Sequence, residues 1–122
     1  MNLQLSLKRK WFEMTKAGTK TEDYREITPY WISRLCKKHP SSVISGGDLR
    51  DVHTGINFSF KKFTTNTMTL GYPKSNDTER ILKLEHKGIE IREGKPEWGA
   101  EPGKKYFVIK HGQPICITAL NN

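Results

Sequence analysis

The sequence has 122 residues, with 21 Lys and Arg against 13 Asp and Glu, which gives a formal net charge of +8 at pH 7. A chain of this length is typical of one domain with a single modest core. Three Trp, four Tyr and five Phe are more aromatic residues than a disordered chain carries. No segment approaches the roughly 18 consecutive apolar residues of a membrane-spanning helix. Because net charge reports on partners rather than on fold, the surplus predicts a polyanion or an anionic small molecule as the partner.

The N-terminal pattern and the cysteines predict a cytoplasmic protein. Residues 3–7 alternate between apolar and polar side chains, and the basic residues 8–10 follow without the apolar segment of a signal peptide. Cys36 and Cys116 fit neither a metal-binding spacing nor a disulfide framework, which is typical of a reducing compartment.

The first third of the chain predicts two strands and two short helices. Strict alternation at 3–7 indicates a half-buried strand, and Gly18 stands where a helix C-terminal glycine belongs. Thr28 and Pro29 form a typical helix start, an N-cap followed by proline at the first helical position. The predicted elements are a strand at 3–7, a helix at 8–17, a strand within 20–27 and a helix from Pro29 to about Lys38.

The rest of the chain predicts mostly β-structure. Residues 39–55 are rich in Pro, Ser, Gly and Asp, which predicts a long loop. Strands are predicted at 56–60, 63–72, 80–91, 105–110 and 114–118, with a bend at Gly88 inside the strand at 80–91 and a turn at 111–113. The chain is therefore predicted to be a single α+β domain, residues 1–122, with two helices near the N-terminus and a small mixed β-barrel.

The densest polar segment is residues 18–26. In a strand, Thr21, Asp23 and Arg25 share one face, so Asp23 is placed to orient Arg25 by a charge-assisted contact. Lys20 lies where the chain leaves the first helix, next to the same face. An ammonium, a guanidinium and a carboxylate beside Tyr24 favour an anion or nucleoside site. The alternative is a solvated edge strand with alternating charges.

A second candidate site is the Gly- and Pro-rich loop at residues 94–103. It presents Glu97 and Trp98, and an indole in a loop is a stacking plate for a nucleobase. The alternative is that Trp98 closes the end of the barrel. Basic residues are concentrated near the start, since residues 1–40 hold nine Lys and Arg against four acids, a surplus of five. Aromatic residues are interleaved with them, which favours a groove for phosphates and bases.

Several chemistries find no support in the pattern. The four histidines, His39, His53, His86 and His111, lack the spacing of a zinc site, and neither a P-loop nor a dinucleotide-binding fingerprint is present. We expect neither a metal nor a cofactor. Cys36 lies in a predicted helix beside two lysines that would lower its pKa, although a lone helical cysteine is more typical of packing.

The segment Lys10-Trp11-Phe12-x-Met14-x-x-x-Gly18-x-Lys20-Thr21-x-x-Tyr24-Arg25 resembles the ASCH domain family, which is related to PUA domains. The stretches at 88–91, 94–99 and 102–109 resemble the small single-domain branch common in phages and bacteria. Of the family hallmark Gly-x-Lys-x-x-Glu-x-Arg, the glycine, lysine and arginine match at 18, 20 and 25. Asp23 replaces the Glu, which keeps the charge and shortens the reach.

The resemblance implies a PUA-like β-barrel with a helix after the first strand and a basic cleft that binds RNA or a nucleotide-like ligand. The expected binding residues in that cleft are Lys20, Thr21, Tyr24, Arg25, Glu97 and Trp98. We expect no membrane partner. The pattern leaves the oligomeric state open.

A branch of the same family implies an alternative, a hydrolase that removes the acetyl group from N4-acetylcytidine, and other members act as ribonucleases. The candidate catalytic residues are then Lys20 and Asp23. That branch has a Thr nucleophile where Asp23 stands, and a carboxylate cannot serve as the same hydroxyl nucleophile. Glu85, Glu97 and Glu101 are candidates for the acidic partner. A third alternative is a partner-binding adaptor encoded by a mobile element.

Overall fold

A computed structural model of the chain describes residues 1–37, 59–74 and 76–115. Its elements are β1 (Asn2–Leu7), α1 (Arg9–Lys16), β2 (Glu22–Arg25), α2 (Pro29–Leu35), β3 (Thr65–Leu70), β4 (Ile81–Glu93) and β5 (Lys105–Pro114), with 3-10 turns at Thr78–Arg80 and Pro96–Trp98. The predicted α+β class is confirmed, and both helices lie near the N-terminus as expected. Among the described residues, no helix has the length and apolar character needed to cross a membrane.

The strands form one mixed sheet in the order β1-β3-β4-β5-β2. β1 and β3 are parallel, with Asn2 opposite Thr65 and Leu7 opposite Leu70. β3 and β4 are antiparallel, with Asn66 opposite Leu84. A parallel neighbour for β1 needs a long crossover connection, and this one contains both helices.

The described chain divides into two compact units, each assembled from separate segments. The first unit comprises Met1–Asp23, Phe63–Gly88 and Ile109–Asn122, and the second comprises Tyr24–Lys62 and Ile89–Val108. Neither unit is a continuous stretch of the chain. The composition along the sequence therefore does not mark a boundary between them. The single domain at 1–122 stays a prediction.

The core of the first unit follows from alternation in β1. Leu3, Leu5 and Leu7 are buried, and the polar residues between them are exposed, as the sequence predicts. Other apolar side chains buried in this unit are Phe12, Met68, Leu84 and Ile109. α1 also buries Thr15, whose hydroxyl donates to the carbonyl of Trp11 at 2.8 Å.

Helix α2 of the second unit begins at the predicted residue and ends before the predicted one. Thr28 Oγ1 accepts the backbone N–H of Trp31 at 3.3 Å. α2 ends at Leu35, and Cys36 has extended backbone angles and forms a β-bridge with Phe60. The prediction that Cys36 lies within a helix is therefore wrong. The bridge to Phe60 competes with the last helical turn for the same backbone groups.

One prediction for the later strands agrees with the structure and another is wrong. β4 is a single strand through Gly88, which has a φ of +116°, as the sequence predicts, whereas β5 continues through 111–113, where a turn was expected. Gly112 lies close to two flexible side chains there, since an added Cβ would lie 2.6 Å from Cε of Lys87 and 2.8 Å from Oε1 of Glu85. The predicted loop at 39–55, the strand residues at 56–58 and those at 116–118 lie outside the described residues.

Candidate functional site

Lys20 is positioned by the turn that ends α1. Gly18 has a φ of +80°, which glycine adopts without strain, and it reverses the chain after the helix. The backbone N–H groups of Thr19 and Lys20 both donate to the carbonyl of Met14, at 3.0 and 3.1 Å. This geometry directs Lys20 into the interior of the first unit, where only 2% of it is exposed.

The ammonium of Lys20 is held by two oxygens. Nζ forms a buried ion pair with Asp23 Oδ1 and donates to the backbone carbonyl of Glu22 at 2.7 Å. The indole of Trp11 lies 5.9 Å from the ammonium, which adds a cation–π contact. The two candidate catalytic residues predicted from the sequence are therefore in direct contact, and each is only 2% exposed.

Asp23 has a second partner that the sequence pattern did not suggest. His111 on β5 places Nε2 2.6 Å from Asp23 Oδ2, so both carboxylate oxygens have a donor. The residues are 88 positions apart in the chain. Their contact depends on the pairing of distant strands, because the backbone N–H of His111 donates to the carbonyl of Thr21 at 3.0 Å.

His111 is oriented in turn by Asn66, a fully buried residue of β3. Nδ2 of Asn66 lies 2.8 Å from His111 Nδ1 and 3.3 Å from the carbonyl of Lys110, and Oδ1 lies 2.7 Å from His86 Nδ1. The carbonyl of Lys110 accepts only, so it fixes which end of the amide is the NH2 group. His111 Nδ1 is then an acceptor, and His86 Nδ1 donates its proton to Asn66.

This buried polar network, consisting of Lys20, Asp23, His111, Asn66 and His86, is a continuous chain of hydrogen bonds. Burial by itself raises the pKa of Asp23, but the hydrogen bond from His111 and the charge of Lys20 outweigh it, so the pKa lies below its usual value. Burial lowers the pKa of His86, and the neighbouring His111 adds to that shift. The network therefore keeps Asp23 ionised although it is buried.

Sequence reasoning missed the three residues that complete the network. The spacing of the histidines bears only on metal ligands, whereas His86 and His111 are joined by the side-chain amide of Asn66. The sequence does contain one signal. Asn66 lies two residues before Met68 and four before Leu70, so it shares the apolar face of its strand with them. A polar residue in such a position must be paired if it is buried.

Other predicted residues of the first unit lie elsewhere. Thr21 is exposed, whereas Asp23 is buried. Glu85, a candidate acidic partner for Lys20, instead accepts the backbone N–H of Gln113 at 2.9 Å and lies 3.8 Å from the ammonium of Lys87. The carboxylate that joins Lys20 is Asp23 itself.

In the second unit, Tyr24 is the anchor of the loop at 94–99. Its hydroxyl oxygen accepts the backbone N–H of Lys95 at 2.9 Å, and its ring packs against Tyr106 with centroids 5.8 Å apart. An added Cβ on Gly94 would lie 2.7 Å from the Tyr24 ring. Tyr24 and this loop, which the sequence predicts as parts of two separate candidate sites, are therefore in contact.

The loop presents its tryptophan beside a cation. Pro96–Trp98 form a 3-10 turn closed by Gly99, which has a φ of +98°. Trp98 is half-buried and Glu97 is exposed, and Nζ of Lys95 lies 4.4 Å from the Trp98 ring centroid. The indole is therefore neither fully enclosed nor isolated from charge.

Arg25, the last residue of β2, contacts helix α2. Its Nη1 donates to the carbonyl of Tyr24 at 2.9 Å, and its guanidinium carbon lies 5.2 Å from the Trp31 ring centroid. The arginine of the family hallmark is thus stacked on an aromatic ring within the second unit.

Cys36 does not have the activated thiol that its lysine neighbours suggested. It is 5% exposed, and burial raises its pKa to about 12, although the charge of Lys61 opposes the shift. Of the two alternatives, the structure favours a packing cysteine over an activated thiol, because loss of hydration outweighs the nearby positive charge. Cys116 lies outside the described residues.

In the described part of the chain, no three His, Cys, Asp or Glu side chains lie close enough together to hold a metal ion. No family model matches the sequence, and neither a curated protein nor a solved structure shows a significant match to it. The resemblance to ASCH domains therefore stays a prediction.

Proposed function

We propose that this chain binds RNA or a nucleotide-like ligand through its second unit, as the resemblance to ASCH domains implies. The observation that carries the proposal is the loop at 94–99, where the ammonium of Lys95 lies 4.4 Å from the half-buried ring of Trp98. An indole beside a cation matches the two chemistries of a nucleotide, since one stacks on a base and the other attracts a phosphate.

The proposal gives Lys20 a role different from the one that the family motif implies. A cation that is 2% exposed and paired with Asp23 would have to leave its carboxylate to reach a phosphate. Breaking a buried pair in this way is costly. We therefore assign the phosphate contact to exposed cations such as Lys95. The exposed carboxylate of Glu97 is suited to accept the exocyclic amine of a base.

The test is fluorescence anisotropy with a fluorescein-labelled oligouridylate at about 50 mM and about 200 mM salt. We expect the affinity to fall steeply with salt, because each contact from Lys or Arg releases counterions from the phosphates. Trp98→Ala should weaken binding about 5- to 150-fold if one base stacks on the indole. Tyr72→Ala, at a ring 96% exposed in the first unit, is the matched control. No binding at the lower salt concentration contradicts the proposal.

The second candidate function is a small hydrolase acting on a modified nucleoside such as N4-acetylcytidine, or on RNA. The buried pair of Lys20 and Asp23 with His111 favours it, because buried, mutually hydrogen-bonded ionisable groups are typical of active sites. Neither member of the pair has a hydroxyl, so Asp23 would act as a base towards water and Lys20 would stabilise the developing negative charge.

Chromatography of N4-acetylcytidine and of short RNAs after incubation with the protein tests this second function. The matched control is Lys20→Ala, with circular dichroism to establish that the variant is folded. Turnover that is equal in the two proteins removes the hydrolase proposal for these substrates.

The same proposal includes a PUA-like small barrel and a cytoplasmic location. The mixed five-stranded sheet with two short helices supports the first. The net charge of +8 supports a compartment that contains RNA. A crystal structure tests the barrel, and cell fractionation tests the location.

A further inference from the structure

Helix α2 in the second unit carries an exposed group of aromatic and basic side chains. Tyr30 is 60% exposed, Trp31 is half-buried and Arg34 is exposed. Arg34 is four residues from Tyr30 and three from Trp31, so the three side chains share one side of the helix. The rings of Tyr30 and Trp31 meet edge to face, with centroids 5.2 Å apart.

Two guanidinium groups lie against these rings. That of Arg34 is 5.4 Å from the Tyr30 centroid and 5.7 Å from the Trp31 centroid, and that of Arg25 is 5.2 Å from the Trp31 centroid. A guanidinium stacked on a ring keeps its N–H groups at its edge, where they match the oxygens of a phosphate. Stacking also limits the freedom of the arginine, so less entropy is lost on binding.

A third cation lies at the same helix. Nζ of Lys61 donates to the backbone carbonyl of Ser33 at 3.1 Å, and the hydroxyl of Ser33 donates to the carbonyl of Tyr30 at 2.9 Å. A third positive charge is therefore held at this helix, three residues after the exposed tyrosine.

We propose that the α2 surface, formed by Arg25, Tyr30, Trp31 and Arg34, binds single-stranded RNA, with a base on the Tyr30 ring and the adjoining phosphate against the guanidinium groups. The inference rests on the proposed function, because it names a second contact region for the same class of ligand. Charge complementarity and the exposed ring together select this occupant. An acidic peptide would pair with the guanidinium groups but would leave Tyr30 without a stacking partner.

The experiment is the same oligouridylate titration, with variants confined to this surface and thermal unfolding to show that each is folded. Tyr30→Ala should weaken binding about 5- to 150-fold. Arg34→Gln should reduce the salt slope by about 0.7, the value for one phosphate contact on a single strand. Arg34→Lys should restore the slope, because it keeps the charge. Tyr72→Ala and Arg80→Gln, exposed in the first unit, are the matched controls and should bind like the wild type.

The outcomes separate the two proposals. If the wild type binds the oligouridylate but Tyr30→Ala and Arg34→Gln bind equally well, the α2 surface is not the contact region and the proposed function stands. If the wild type does not bind, both fail. Equal losses in Tyr30→Ala and Tyr72→Ala overturn the assignment to α2. Tighter binding of a fluorescein-labelled polyglutamate peptide than of the oligouridylate also overturns it.

Discussion

The side-chain amide of Asn66 donates to Nδ1 of His111 at 2.8 Å, and this contact determines where the imidazole carries its proton. A ring nitrogen that accepts has no proton, so the proton of His111 is on Nε2, which faces Asp23 Oδ2 at 2.6 Å. Asp23 then receives one donor on each oxygen, from Lys20 and from His111. Within the network, Lys20 and Asp23 carry opposite charges in direct contact, which is why their burial is tolerated.

Replacing Asn66 with Leu should be strongly destabilising, although the side chains are similar in size. The change leaves Nδ1 of His111 and Nδ1 of His86 without their hydrogen bonds to the amide. At about 1–3 kcal/mol for each buried unsatisfied group, we expect the free energy of unfolding to fall by at least about 2 kcal/mol. Urea denaturation measures it, with Asn76→Leu at an exposed position as the control. Equal stability of the two variants would show that the amide is not essential.

The ion pair of Lys20 and Asp23 should show strong coupling in a double-mutant cycle. Lys20→Met alone leaves a buried carboxylate, and Asp23→Leu alone leaves a buried ammonium, so each should cost about 3–5 kcal/mol. The double variant leaves no unpaired charge, and its loss should be well below the sum of the single losses. Chemical denaturation of the four proteins gives the coupling free energy. Additive losses would contradict a direct pairing.

Local signals predicted the elements of this fold better than they predicted the site. The N-cap at Thr28, the glycine after α1 and the alternation of β1 act within a few residues, and the structure contains all three. The contact of Asp23 with His111 depends instead on which distant strands pair, and a single sequence does not encode that choice in its spacing.

Acid should destabilise the protein partly through Asp23. Its pKa is lower in the folded state than its ordinary value of 3.8, so the unfolded chain binds this proton more readily. The contribution to stability is fully present well above pH 3.8 and is lost as the pH falls below that value towards the folded pKa. Urea titrations at several acidic pH values should show a steeper loss of stability in the wild type than in Asp23→Asn. Parallel curves would mean that another carboxylate is responsible.

Gly94 should tolerate no side chain, because the ring of Tyr24 packs directly against it. A Cβ added at Gly94 would lie 2.7 Å from the Cβ of Ala100 and 2.7 Å from the Tyr24 ring, and neither atom is the end of a flexible chain. Gly94→Ala should cost about 1–3 kcal/mol in the free energy of unfolding. Gly112→Ala is the matched comparison and should cost less, because its nearest neighbours belong to the flexible side chains of Lys87 and Glu85. The reverse order of losses would contradict this packing.

The thiol of Cys36 should be unreactive in the folded protein. Its pKa of about 12 leaves almost no thiolate at neutral pH, and 5% exposure hinders the approach of a reagent. The Cys116→Ser variant isolates this thiol, and its reaction with Ellman's reagent is followed by absorbance. We expect slow labelling in buffer and rapid labelling in concentrated urea, since unfolding both exposes the thiol and restores its ordinary pKa. Labelling at the same rate in both solutions would show that Cys36 is accessible. That result would contradict its burial at the β-bridge that it forms with Phe60.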